Sequence, residues 1–137
     1  MYLLPITPKP TPRPRLGKNG VYNTSSYKAY KQNLIKWISL LKIPRNNYDF
    51  IWAKFYVPYP KSTKKSDLID KYPLKKVFDC DNVIKGLCDA LEQSGVIEND
   101  RCFCSMMIEK FRTTDEVGRI EFELTKFENP YEQQNWN

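Results

Sequence analysis

Prolines at positions 8, 10, 12 and 14 put a proline at every second residue between Thr7 and Arg15. Each one removes a backbone N–H and fixes φ, so this stretch cannot be helical and must run extended or as polyproline. The body of the fold has to be built from the residues beyond Arg15, apart from a short strand predicted at Leu3 to Ile6. Lys9, Arg13 and Arg15 are interleaved with the prolines. Such an arm suits solvent, and equally a stiff basic segment lying along phosphates.

Beyond the arm, Gly17 to Tyr22 is turn-like, with Asn19-Gly20 at its centre. Thr24 or Ser25 can cap a helix over Ser26 to Leu41, whose inner face is Tyr27, Tyr30, Leu34, Ile38 and Leu41. Pro44 and Asn46-Asn47 then break the chain. Asp49 to Pro58 reads as the clearest strand, with Ile51, Ala53, Phe55 and Val57 alternating with Trp52, Lys54 and Tyr56. A second helix is expected from Asp81 to about Ser94, with Ile84, Leu87, Cys88 and Leu91 as its buried stripe and Gly95 as its terminator. Val96-Ile97 is expected to pair briefly. Arg101 to Phe111 and Gly118 to Phe127 read as the two strands of a hairpin joined by a polar loop, Arg112 to Val117. The expected architecture is a single α+β domain, residues 1–137, with a small mixed sheet flanked by two helices. Its appendages are a basic proline-rich segment (5–22), a lysine-rich loop (59–76) and a tail (128–137).

The charge balance is +6, with 22 Lys and Arg against 16 Asp and Glu. That favours a polyanionic partner such as nucleic acid. Lys61, Lys64, Lys65, Lys71, Lys75 and Lys76 crowd the stretch between the strand and the second helix, which reads as a mobile basic loop. Histidine is absent. This excludes Ser-His-Asp and Cys-His hydrolases, His-metal nucleases and HEXXH peptidases, and leaves acid–base work to carboxylates, lysine or metal-activated water. Cys80, Cys88, Cys102 and Cys104 lack C-x-x-C spacing and read as reduced, mostly buried thiols. No apolar run approaches membrane-helix length, and the opening Met1-Tyr2-Leu3-Leu4-Pro5 has no signal-peptide pattern.

Three aspartates carry the chemistry. Asp79 and Asp81 stand one residue apart at the head of the second helix, and Asp100 comes after it. In an extended segment Asp79 and Asp81 would share a face. Two such carboxylates repel by roughly 1 kcal/mol at about 4 Å in water. A divalent cation reverses that sign, and oxygen ligands suit Mg²⁺ or Mn²⁺. Asp100 returns to the same corner if it opens the strand after the helix. Lys85, one turn into the helix, can offset charge developing on phosphorus or pair with Asp81 or Asp89. The plainer account of the pair is Asp81 as a helix N-cap with Asp79 a solvated neighbour.

The run Asp79-x-Asp81-Asn82-x-x-Lys85-x-x-x-Asp89-Ala90-Leu91 resembles the RusA family of Holliday junction resolvases, common in phages and prophages. Further segments agree: Pro8-Lys9-Pro10 with Arg13-Pro14-Arg15 and Asn19-Gly20-Val21-Tyr22, then Pro60-Lys61-Ser62 with Lys64-Lys65, then Lys110-Phe111. The resemblance spans roughly residues 4 to 127. It implies a homodimeric, Mg²⁺-dependent endonuclease, with Mn²⁺ as a substitute, that nicks four-way DNA junctions in pairs during recombination and repair. It implies Asp79, Asp81 and Asp100 as metal-holding catalytic carboxylates and Lys85 as the active-site lysine. Asn82, Asp89 and Lys110 become supporting residues. Lys9, Arg13, Arg15, Lys61, Lys64, Lys65, Lys75 and Lys76 become phosphate contacts. Neither a membrane nor a nucleotide cofactor is implied, and the place of action is the cytoplasm of a bacterium or phage-infected host. Two departures stand out: Phe78 where the family often has proline, and Asn99 where it often has a first aspartate. The alternatives are a nuclease for flaps or other branched DNA, and a non-catalytic DNA-binding protein.

Overall fold

A computed structural model describes residues 1–12, 15–17, 20–22 and 25–127, with side chains described for 1–12 and 25–127. Arg13, Asn19, Thr24 and the tail from residue 128 lie outside the described residues, as do the side chains of Arg15 and the turn around Gly20. The elements in order are β1 (Tyr2–Leu4), β2 (Arg15–Gly17), β3 (Gly20–Tyr22), α1 (Ser25–Leu41), β4 (Phe50–Pro58), β5 (Tyr72–Pro73), α2 (Cys80–Gln93), β6 (Ser105–Thr113) and β7 (Arg119–Thr125). Five strands form a mixed sheet in the order β1-β7-β4-β6-β5, and β2 and β3 form a separate two-stranded ribbon. The expected α+β domain with two helices is therefore what the chain forms.

The period-2 pattern of β4 explains its central place. Ile51, Ala53 and Phe55 are fully buried on one face, in register with Leu124, Phe122 and Ile120 of β7 and with Met106, Ile108 and Lys110 of β6. Both helices close over that face. Tyr27, Tyr30, Leu34 and Ile38 of α1 and Val83, Ile84, Leu87, Cys88, Ala90 and Leu91 of α2 join the same core. Each large side chain taken from water there contributes roughly 1.5–3 kcal/mol. The α2 stripe is wider than its sequence suggests, because Val83, Gly86 and Ala90 are buried as well.

Strands β6 and β7 do not pair with each other, against the sequence expectation. β4 lies between them, parallel to β6 and antiparallel to β7. The chain after β6 steps across the end of β4, a gap of roughly 10 Å for two strand spacings. The connector has no Asn-Gly or Asp-Gly pair of the kind that closes a tight hairpin. It passes so close to β4 that a Cβ on Gly118 would overlap the Tyr56 carbonyl oxygen. The Gly118 N–H donates to Thr7 Oγ1 at 2.9 Å. The parallel β4–β6 pair needs a long crossover, and the loop from Tyr59 plus α2 supplies it.

Three smaller expectations also change. Val96 and Ile97 are buried but form no strand; the Val96 carbonyl instead accepts from the Asn46 N–H at 3.1 Å. Asp100 does not open a strand: Asp100–Cys102 is a short 3-10 turn and β6 begins at Ser105. Among the cysteines only Cys88 is buried, Cys80 and Cys102 are half-buried, and Cys104 is exposed.

Gly118→Ala is expected to force the connector off β4 and to cost about 1–3 kcal/mol, as overpacking does. Urea unfolding should show a lower midpoint with an unchanged slope. An unchanged midpoint would contradict the close crossing.

Candidate nucleic-acid and metal site

The head of α2 is prepared by the turn before it. Phe78 is buried, and its carbonyl accepts from Lys110 Nζ at 2.5 Å. The same ammonium stands 5.6 Å from the Phe78 ring centroid. Between Lys76 and this anchor, Val77 takes φ 85° and is exposed. A β-branched residue in the left-handed region is a real outlier and stores about 1–3 kcal/mol. The chain is bent there so that Asp79 begins the helix.

Asp79, not Asp81, is the N-cap residue. Its backbone is extended (φ −85°, ψ 153°), its carbonyl accepts from the Val83 N–H, and its side chain makes no cap hydrogen bond. Asp81 lies in the first turn. The helix starts at Cys80, so the shared-face argument for an extended segment does not describe this pair. Both carboxylates are exposed, and both sit where the helix dipole favours negative charge.

Asp79 and Asn82 line a hollow of about 370 Å³ together with Pro10, Thr11, Lys75, Lys76, Val77 and Phe78. The proline arm is thus one wall and the end of the lysine loop another. Lys85 is exposed one turn past Asp81, and no ion pair joins it to a described residue. Asp89 instead faces Lys31 of α1 at 3.8 Å. Such a pair at a surface is worth about 0–1 kcal/mol.

Asp100 opens the 3-10 turn that follows α2. It lies beside the middle of α2, near enough to Cys88 for its charge to act on the thiol. Burial first, then Asp100, pushes the Cys88 thiol up to about 12. Cys88 is seven residues past Asp81, roughly 10 Å along the helix axis. Among the described residues, no three His, Cys, Asp or Glu side chains are grouped to hold one metal ion. Asn99 acts locally. Its Oδ1 accepts from the Arg101 N–H at 2.9 Å and caps the 3-10 turn that carries Asp100.

The lysine-rich segment is stitched down rather than loose. β5 pairs with β6, and the Lys71 and Leu74 N–H groups donate to the Arg112 and Lys110 carbonyls. Tyr59 buckles the loop by donating to the Ile69 carbonyl at 2.7 Å. Asp70 accepts from the Thr114 N–H at 3.0 Å; that bond holds the Asp70 carboxyl below its ordinary range. Lys61, Lys64, Lys65, Lys75 and Lys76 all remain exposed. Lys61 borders a second, larger hollow of about 770 Å³ at the ends of β4 and β6, with Tyr59, Leu68 and Val117.

Sequence reasoning missed Thr11. Its N–H and its hydroxyl both donate to the Asn82 carbonyl, at 3.0 and 2.9 Å, and its oxygen lies 3.0 Å from the Tyr27 hydroxyl. Burial raises the Tyr27 pKa above its ordinary value, the Thr11 bond opposes and the Asp89 charge adds, so the phenol keeps its proton.

Comparison with known families gives the class first: the match is to endodeoxyribonucleases, over residues 5–125. The matching family model is Endodeoxyribonuclease RusA, and the chain belongs to that family. The span covers the arm, the lysine loop, all three aspartates and Lys110. A search of curated proteins returned no match. No helix among the described residues is long and apolar enough to cross a membrane.

Lys110→Met is expected to leave the Phe78 carbonyl without its charged donor. Hydrogen bonds to charged groups are worth about 1.5–3 kcal/mol, so the thermal midpoint should fall. DNA cleavage should fall with it, because the turn that presents Asp79 loosens. A midpoint equal to that of the parent chain would show that this bond does not hold the turn.

Proposed function

We propose that the chain is a divalent-metal-dependent, structure-specific endodeoxyribonuclease that resolves four-way DNA junctions as a homodimer. The observation that carries this reading is the exposed Asp79–Asp81 pair at the head of α2, within a chain of the RusA endodeoxyribonuclease family. Paired symmetric nicks need two equivalent sites, which a two-fold dimer provides.

The donor set fits a hard cation in part. Mg²⁺ commonly takes one or two carboxylates, keeps several waters and adds substrate phosphate oxygens. Asp79 and Asp81 offer such oxygens, and the Asp79 carboxylate is not used up by capping. Asp100 is the candidate third ligand by family pattern and stands further along α2. A bound Mg²⁺ or Mn²⁺ would supply polarisation of the phosphodiester and activation of water. Lys75 and Lys76, on the wall of the same hollow, neutralise the incoming backbone. Lys85 faces solvent one turn from Asp81, where its charge offsets that gathering on the phosphorus oxygens. Lys9, Arg13, Arg15, Lys61, Lys64 and Lys65 extend the basic surface for phosphates without reading bases.

Asp81→Asn is expected to abolish cleavage while junction binding stays intact or tightens, since a negative charge beside phosphate is lost. Full activity in that variant would remove the acidic site from the mechanism. End-labelled four-way, flap and linear DNA should be incubated with and without Mg²⁺. Paired symmetric nicks confined to the four-way substrate with metal are expected. Preferential cutting of flaps would move the chain to the branched-DNA nucleases, and no cutting at all would make it a binding protein.

A further inference from the structure

The described part of the N-terminal arm is tied down by two threonine side chains. Thr7 Oγ1 accepts from the Gly118 N–H at the β6–β7 connection. Four residues later Thr11 is bonded to the first turn of α2 and to α1. Pro8, Pro10 and Pro12 have no N–H to offer, and the two threonine hydroxyls supply side-chain ties of this strap. A polyproline strap of four residues spans about 12 Å and is stiff. Lys9 and Pro10 are exposed between the two pins, and Pro10 and Thr11 form the wall of the hollow that holds Asp79, Lys75 and Lys76.

The Thr11 pin is specific in its chemistry. A hydroxyl has one proton. Thr11 gives it to the Asn82 carbonyl, so Tyr27 is the donor in the second bond. Room for Tyr27 is made by Gly86 on α2, where a Cβ would come within 3.1 Å of the Tyr27 hydroxyl. Glycine inside a helix costs about 1 kcal/mol relative to alanine, so a spatial reason at this position is needed, and the close approach supplies it. Asn82 directly follows Asp81. The strap is therefore bonded to the backbone beside the carboxylates.

We infer that Thr11 is a positioning residue that locks the basic arm to the catalytic helix, so that Lys9 meets DNA phosphate in fixed register with Asp79 and Asp81. This rests on the nuclease reading above. The hydroxyl does not touch substrate; it sets where the arm's charges stand. Without it the arm keeps its charges but contributes fewer simultaneous phosphate contacts.

The readout is salt dependence. Each phosphate neutralised on duplex DNA contributes about −0.9 to the slope of log K against log salt. Binding of a fluorescent four-way junction to the full chain should be followed by anisotropy across a salt series. The set is the parent chain, Thr11→Val, Thr11→Ser, Tyr27→Phe, the triple variant Lys9→Ala/Arg13→Ala/Arg15→Ala, and Thr11→Val combined with the triple. Thr11→Val is expected to bind roughly tenfold more weakly near physiological salt, with the slope shallower by about 1. Tyr27→Phe should move in the same direction and Thr11→Ser should match the parent. Adding Thr11→Val to the triple variant should change nothing further, because the charges it positions are already gone. A parent-like slope in both Thr11→Val and Tyr27→Phe overturns the inference while leaving the nuclease reading standing. So does a Thr11→Ser variant as weak as Thr11→Val. A flat salt response in the parent chain overturns both.

Discussion

The burial of β4 on its inner face sets the rest of this structure. Ile51, Ala53 and Phe55 are each fully buried, and a strand so apolar on that face gains most at the middle of a sheet. β4 takes that place, β6 and β7 go to either side, and the chain must return by α2 to lay β6 parallel. A crossover helix runs opposite to the strands it connects. The N-terminus of α2 is thereby brought to the end of the sheet where β4 finishes, and the lysine loop that links them arrives there too. The meeting of acidic and basic groups follows from strand order.

The face of the same sheet that points away from the helices solves a different problem. Trp52, Tyr56 and Phe111 point away from the helices, yet Tyr56 is only 3% exposed. Its ring is stacked on Phe111 at 5.2 Å and roofed by the Arg119 guanidinium at 3.8 Å. Arg119 is held by Glu121 at 2.9 Å and Asp115 at 3.3 Å. Lys54 lies over Trp52, whose indole N–H donates to Glu109 at 2.6 Å. Long charged side chains lay their stems and planar groups on aromatic surface and keep their charge toward water. The sheet thus carries a second, thin apolar layer sealed by its own ions, and burial pushes the Tyr56 phenol above its ordinary value.

These two faces explain what was legible in the sequence. The helices and β4 were, because their periods of 3.6 and 2 record one-sided burial. Tyr27, Tyr30, Leu34 and Ile38 read correctly as an inner face for that reason. Strand order was not, because β6 and β7 each alternate well enough to pair, and only the close passage of Gly118 over Tyr56 shows that something lies between them. The lysine loop looked loose because its fastenings are backbone bonds, the Tyr59 hydroxyl and the Asp70 carboxylate, which leave no pattern in composition. At the candidate site, motif spacing singled out Asp79, Asp81, Lys85 and Asp100. Their geometry was not legible: the extended pair became a cap and a first-turn residue, and Asp100 fell on a 3-10 turn beside the middle of the helix.

That geometry has an electrostatic logic. Asp79 and Asp81 both occupy a helix N-terminus, which carries about half a positive charge, and Lys75 and Lys76 border the hollow that Asp79 lines. Asp100 is not gathered with them into a group of three among the described residues. The exposed face of the helix then reads Asp81, Lys85, Asp89, alternating in sign, with Asp89 tied back to α1 through Lys31. Lys85 is the cation of that row with no ion partner among the described residues. Lys85 is exposed one turn past Asp81, between two carboxylates of the same row. The charge of Lys85 is thus left unspent by the internal ion pairs of the described residues.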